Sequence, residues 1–257
     1  MNDRIILISN DDGVNAPGIN TLADIMQGFG KVCIVAPQEP MSGMGHAVTV
    51  RHPLRLRKLE EKEGLLRYSC TGTPADAVKL GIQVVLKTKP DLIVSGINHG
   101  SNASINILYS GTMAAVLEGV ISGVPSIGFS LADYSYHADF SACGKYVKRV
   151  VEKVLQYGLP AGTCLNVNIP PAPADQIKGI RVCHQGQGMW MEEFDERRDP
   201  HNREYYWLTG AFASLADGKD TDDWALQNNY VSVVPAQIDL TAYKSLEIIK
   251  RWSWDAE

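Results

Sequence analysis

Two adjacent carboxylates, Asp11 and Asp12, follow directly on an aliphatic run in "RIILISNDDGVNAPGI". Like charges side by side repel, and a packed core has no use for them. Two more apolar runs end in polar loops, "KVCIVAPQEPMSGMGH" and "DLIVSGINHGSN", which carry Ser42 and Asn98. Asp11, Asp12, Ser42 and Asn98 all offer oxygen. That is the donor set of a hard cation such as Mg²⁺ or Mn²⁺, and a cation would relieve the repulsion within the pair. The six histidines form neither H-x-x-x-H nor H-E-x-x-H, which argues against zinc.

A fourth stretch, "YSGTMAAVLEG", places Ser110, Gly111 and Thr112 at the start of a helix. Free N–H groups and the helix dipole make such a start an anion site. Gly111 is expected to face the anion, where a Cβ would intrude. Asn10 is a further candidate contact to the same group. A cation beside an anion site implies a bound phosphoryl group, and the chemistry that fits is metal-assisted hydrolysis of a phosphate ester. Asp11, Asp12 and Asn98 are then the candidate catalytic residues, with the acids able to orient or deprotonate water. Each signal alone also has an ordinary reading: a turn for Asp-Asp-Gly, an N-cap for Ser-Gly-Thr. Their coincidence at one sheet edge is what carries weight.

These residues must be brought together by their elements. Short apolar runs, "RIILIS", "KVCIVAP", "DLIVSG", "SIGFS" and "CLNVNIP", alternate with helical patterns such as "TGTPADAVKLGIQVVL" and "FSACGKYVKRVVEKVLQYG". Strands buried on both faces and separated by helices predict an α/β domain with a mainly parallel sheet. In such a sheet the strand C-termini share one edge, and ligands bind where the strand order reverses. Thr73, Pro74 and Asp76 give one helix a readable start. The stretch from Gly96 to Gly111 carries no helix or strand signal and reads as a long functional loop. After "PPAPA" the character changes to aromatic and charged stretches, "REYYWL" and "YVSVVPA". The division expected is a Rossmann-like catalytic domain over 1–185 and a hairpin arm with a terminal helix over 186–257. Trp190, Tyr205, Tyr206 and Trp207 suit a subunit interface.

The 257 residues suffice to bury a sizeable core, and a net charge of −5 argues against binding nucleic-acid polymers. The five cysteines, Cys33, Cys70, Cys143, Cys164 and Cys183, are odd in number and form no C-x-x-C pair. Buried thiols in a reducing compartment are expected. No signal-peptide pattern and no membrane-length apolar run is visible, which points to the cytoplasm and away from membranes.

The blocks "ISNDDGVNAPGI", "VAPQEPMSGMGHAVT", "GTPADAVKLG", "VSGINHGSN" and "YSGTMAAVLEG" resemble the SurE family, the survival-protein 5′/3′-nucleotidases. "RRDPHNREYYWLTG" and "TDDWALQNNYVSVVPAQIDLTAY" resemble its later blocks. The resemblance implies a three-layer Rossmann-like fold with an exchanged C-terminal hairpin and a homodimer or homotetramer. It implies one divalent ion per subunit (Mg²⁺ or Mn²⁺) held by Asp11, Asp12, Ser42 and Asn98, and phosphate contacts from Asn102 and Ser110–Thr112. The implied activity is hydrolysis of nucleoside 5′- and 3′-monophosphates, extending to exopolyphosphate in some members. Asn202 and Asn229 depart from the pattern, standing where glycine is common. The alternative is a non-catalytic nucleotide-binding or receiver-like signalling module. A receiver needs a phospho-accepting aspartate at the end of the third strand, and here that strand ends in Ser95 and Gly96.

Overall fold

The computed structural model describes residues 3–135, 137–215, 218–252 and 254. Six strands form the parallel centre of a nine-stranded sheet: β1 (Ile5–Ser9), β2 (Lys31–Pro37), β4 (Leu65–Cys70), β5 (Leu92–His99), β6 (Ser126–Leu131) and β7 (Thr163–Ile169), with β3 (Leu56–Lys62) antiparallel on the β4 edge. From β1 the chain steps outward through β2 to β4. It then returns to lay β5 on the other side of β1 and continues through β6 to β7. The strand order therefore reverses between β1 and β5.

Period-two alternation decides which face each side chain serves. Ile6 and Ile8 point to the layer of α1 (Pro17–Met26) and α4 (Cys143–Tyr157), among Leu22, Met26, Val147 and Val151. Leu7 points the other way, toward α2 (Pro74–Leu80), among Val35, Ala77 and Val78. All three β1 side chains are fully buried, each worth about 2 kcal/mol of transfer free energy. α3 (Gly111–Ile121) lies beside α2 on that second face. The expected three-layer α/β architecture is the one observed. All five cysteines are buried and unpaired. Among the described residues no helix is long and apolar enough to cross a membrane.

Two expectations change. The strand from Leu92 does not stop at Gly96: β5 runs on to His99, with a register shift against β6 between Ser95 and Asn98 and a cis Gly96–Ile97 peptide. Gly96 has φ +117°, and a Cβ there would stand 2.1 Å from the Phe129 carbonyl oxygen. Asn98 is thus carried on a strand end, and the connection that follows contains a short 3₁₀ turn at Ser104–Leu108.

The expected boundary at 186 also cuts across the sheet. β8 (Gly179–Val182) is the edge strand, and β11 (Tyr230–Gln237) inserts between it and β7, antiparallel to β7. Only part of the C-terminal segment projects. β9 (Gly188–Arg198) and β10 (Glu204–Ser214) form a separate two-stranded antiparallel hairpin. α5 (Asp222–Gln227) packs on β11, and α6 (Tyr243–Ile249) buries none of its residues. Asn202 and Asn229 adopt φ 61° and 59°. Asparagine tolerates this left-handed region better than most residues, so both turns keep a glycine-like conformation.

Candidate active site

The C-terminal ends of β1 and β5 open into a cleft of about 600 Å³. Asp11, Ser42, Asn98, Asn102 and Ser110 all line it, with His99, Asn106, Tyr109 and Tyr134. Its outer wall is formed by the hairpin, through Trp190, Leu208, Thr209 and Gly210.

Asp11 is 4% exposed. Its Oδ1 accepts from the Thr112 hydroxyl at 2.5 Å. Burial pushes its pKa up to about 6. The Asp12 charge acts in the same direction, while the Thr112 hydroxyl and N–H oppose both. Asp12 is also raised, chiefly by burial. Its Oδ2 accepts only a long bond from the His99 N–H, at 3.3 Å. Asp12 does not appear on the cleft wall itself; it sits beside Asp11, behind the strand end of β5.

Asn98 donates from Nδ2 to the carbonyls of His99 and Gly100 at 3.1 and 2.9 Å. Both amide hydrogens are thereby used, and Oδ1 is left as the available acceptor. Ser42 lies on the loop after β2. That loop is tied to the pair by the Met41 N–H, which donates to the Asp11 carbonyl at 2.7 Å. Three further anchors hold it. Asp76 accepts from the Thr49 N–H, the Thr73 hydroxyl donates to the Ala47 carbonyl at 2.7 Å, and His46 pairs with buried Glu118 of α3 at 3.2 Å. Glu118 also meets Lys79 of α2 at 2.5 Å. Thr73 caps α2 as expected; with Asp76 it forms a reciprocal capping box, and the two residues also clamp the Ser42 loop.

The residues expected to bind the anion divide into those at the cleft and those behind it. Ser110 caps α3, its hydroxyl accepting from the Met113 N–H at 3.0 Å. Asn102 donates from Nδ2 to the Ser130 hydroxyl at 2.8 Å, which leaves one amide hydrogen over. Its backbone is held by Asn166 and Asn168 of β7. Asn10, Gly111 and Thr112 do not reach the cleft. Asn10 is fully buried and closes the turn by donating to the Gly13 carbonyl at 3.0 Å. Gly111 lacks a Cβ for a reason other than the expected one: that atom would stand 2.6 Å from the Asp11 Cβ and 2.9 Å from its Oδ2. The start of α3 is occupied by the Asp11 side chain, so Gly111 and Thr112 act on the carboxylate.

Among the described residues no three side chains of His, Cys, Asp or Glu converge on one point. A cation here would rest on two carboxylates and neutral oxygens. Asn98 Oδ1 and the sparsely bonded Asp12 fit that role. The oxygens of Ser9, Asn10 and Ser95 behind the site also lack protein partners.

Sequence reading missed a second acid pair, Asp222 and Asp223 at the start of α5. Its signal was present, since "TDDW" repeats the paired acids of "NDDG". Both residues are buried, and Asp222 bonds to the loop that carries Asn102 and Ser110.

Residues 6–192 match the family model for survival protein SurE. The chain belongs to the SurE family. It is 51% identical over 253 residues to the 5′-nucleotidase SurE of Flavobacterium psychrophilum, covering 98% of each chain. It is 54% identical over 251 residues to the 5′-nucleotidase SurE of Christiangramia forsetii, covering 97% of this chain and 96% of that one. Among solved structures, the SurE protein of Aquifex aeolicus superposes with a TM-score of 0.83 at 41% identity, over 96% of this chain and 98% of that one.

Proposed function

We propose that this SurE-family chain is a divalent-metal-dependent phosphomonoesterase that hydrolyses nucleoside 5′- and 3′-monophosphates to nucleoside and phosphate. The observation that carries the reading is the Asp11–Asp12 pair at the β1/β5 switch point: Asp11 lines a cleft with Asn98, Asn102 and Ser110, and Asp12 beside it accepts one long bond. The 5′-nucleotidase names of relatives this similar agree with it. A receiver-like or purely nucleotide-binding module has no comparable support.

Asp11, Asp12, Ser42 and Asn98 Oδ1 are the groups that would hold one Mg²⁺ or Mn²⁺ per subunit. When bound, the cation supplies charge neutralisation at the phosphoryl oxygens and acidifies a water. The protein supplies the rest. Thr112 fixes Asp11 from behind, and the His99 N–H orients Asp12, so neither acid needs to reorganise during reaction. Either carboxylate can accept the proton of the attacking water. Asn102 and Ser110 approach the phosphoryl group from the loop side. Tyr134, Trp190 and Leu208 give the nucleoside a largely apolar outer wall.

The projecting hairpin and α6 are the surfaces for a homodimer or homotetramer. Phe194, Tyr206, Trp207 and Leu208 are each more than half exposed, as are Trp252 and Trp254, and apolar surface of this kind favours interfaces. Trp190 is spent instead on the cleft, donating to Asn106 Oδ1 at 2.8 Å. The catalytic core comprises 1–185 together with β11, the arm comprises β9 and β10, and the setting is cytoplasmic.

A phosphate-release screen over nucleoside 5′- and 3′-monophosphates, run after EDTA and then with Mn²⁺ or Mg²⁺ restored, tests the proposal. Release that depends on restored metal supports it. Undiminished release after chelation and dialysis, or none with any nucleotide, defeats it.

A further inference from the structure

The hairpin arm and the loop bearing Asn102 and Ser110 meet at one carboxylate. Asp222 is fully buried. Its Oδ2 accepts from the Ser104 N–H at 2.9 Å, in the loop. Its Oδ1 accepts from the Gly186 N–H at 2.7 Å, at the root of the arm, and from the Asp223 N–H at 2.9 Å. A second bond runs beside these, from the Ser104 hydroxyl to the Gly186 carbonyl at 2.9 Å. Three backbone N–H groups compensate its burial.

Ser104 needs such a hold. It adopts φ 56°, a left-handed conformation that a residue with a Cβ disfavours, and strain of this kind persists only where the surroundings enforce it. Ser104 also begins the 3₁₀ turn that ends just before Tyr109 and Ser110, and it lies between two cleft residues, Asn102 and Asn106. The arm grips the same loop a second time through Trp190 and Asn106.

We infer that Asp222 is a positioning residue that locks the arm root to the loop carrying Asn102 and Ser110, so that the phosphoryl-binding geometry depends on the seating of the arm. Asp222 does not line the cleft and touches no group that meets substrate. The inference rests on the anion-binding role assigned to that loop above.

Asp222→Asn keeps the shape of the side chain but can no longer accept on both sides, which orphans a buried N–H. Gly186→Ala perturbs the same junction from the arm. Its Cβ would stand 2.9 Å from Asp222 Oδ1 and 2.4 Å from Asp223 Oδ2. In each variant, calorimetric binding of inorganic phosphate and its competition with substrate should weaken by about tenfold to a hundredfold. KM should rise by the same factor, and kcat should fall less. The Mn²⁺ titration midpoint should stay within about twofold, because no ligand of the cation is touched. Amide exchange over 101–110 should quicken in both variants. Folded variants with native phosphate binding and native exchange over 101–110 would overturn the inference, and if Asp222→Asn does not fold, Gly186→Ala decides it alone. A native chain that binds phosphate while both variants match it defeats only the coupling. A native chain that binds no phosphate defeats the anion-site reading, and the coupling with it.

Discussion

Asp11–Asp12 and Asp222–Asp223 are the same dipeptide, and Asp11 and Asp222 are both almost wholly buried. Burial and a charged neighbour push one member of each pair, Asp11 and Asp223, up to about 6. The pairs part company in what surrounds them. Asp222 receives N–H groups from Ser104, Gly186 and Asp223, at 2.7–2.9 Å. Asp11 receives the Thr112 hydroxyl and the backbone N–H of the same residue, and Asp12 one long N–H contact at 3.3 Å. An ionised carboxylate has about four acceptor positions. Asp12 and Asp223 are both sparsely bonded, Asp223 accepting from the Ser214 hydroxyl at 3.5 Å; the pairs differ in that Asp11 lines the cleft, whereas Asp222 lies away from it with its lone pairs taken up by backbone N–H groups. Place at the cleft and the supply of donors to Asp222, neither of which a dipeptide reveals, distinguish the proposed ligand site from the junction.

That contrast breaks most readily by substitution at the first pair. Asp12→Asn is expected to lower kcat by at least about a thousandfold, or ~4 kcal/mol of barrier, with the fold intact by circular dichroism. Asp223→Asn should stay within about threefold, since it removes no group from the cleft. Equal losses at both would erase the distinction.

Stability should show the reverse order. Asp222→Ala strands buried N–H groups from three segments and is expected to destabilise by at least about 3 kcal/mol in urea titration. A loss below about 1 kcal/mol would mean that the junction is held by other contacts.

The metal-free protein sharpens the comparison through pH. The folded-state pKa of Asp11, about 6, lies above its ordinary value of 3.8. Its contribution to stability is therefore complete below about pH 4 and is lost as pH rises through about 6. Asp11→Asn should stabilise the EDTA-treated protein at pH 8, by on the order of 2 kcal/mol, and the gain should vanish near pH 4. Asp12 and Asp223 are shifted in the same direction and persist in the variant, so some pH dependence will remain.

The smallest effect expected is at Gly111. A Cβ there collides with Asp11, so Gly111→Ala should weaken Mn²⁺ binding by about tenfold. Unchanged Mn²⁺ affinity with weaker phosphate binding would restore the view that Gly111 faces the anion.

Much of this was legible from residues. The alternation of buried runs and helices gave the parallel sheet, and three strand ends gave Asp11, Ser42 and Asn98. What stayed hidden depends on contacts distant in sequence. The extension of β5 through Asn98 was obscured by Gly96 and Asn98, which read as turn residues, although β6 supplies the pairing. The return of β11 to the sheet depends on β7 and β8 as neighbours. Thr73 and Asp76 were legible as a helix cap, but their hold on the Ser42 loop was not. Asp222 and Asp223 went unread because their donors come from Ser104 and Gly186, far away in the chain.

The Asp11–Asp12 pair is proposed to bind a cation, and the Asp222–Asp223 pair is not. Mn²⁺ titration followed by electron paramagnetic resonance measures this directly, in the native chain, Asp12→Asn and Asp223→Asn. One tight Mn²⁺ per chain is expected in the native protein and in Asp223→Asn, with that ion lost in Asp12→Asn. Retention of the ion in folded Asp12→Asn, or its loss in folded Asp223→Asn, would contradict the proposal.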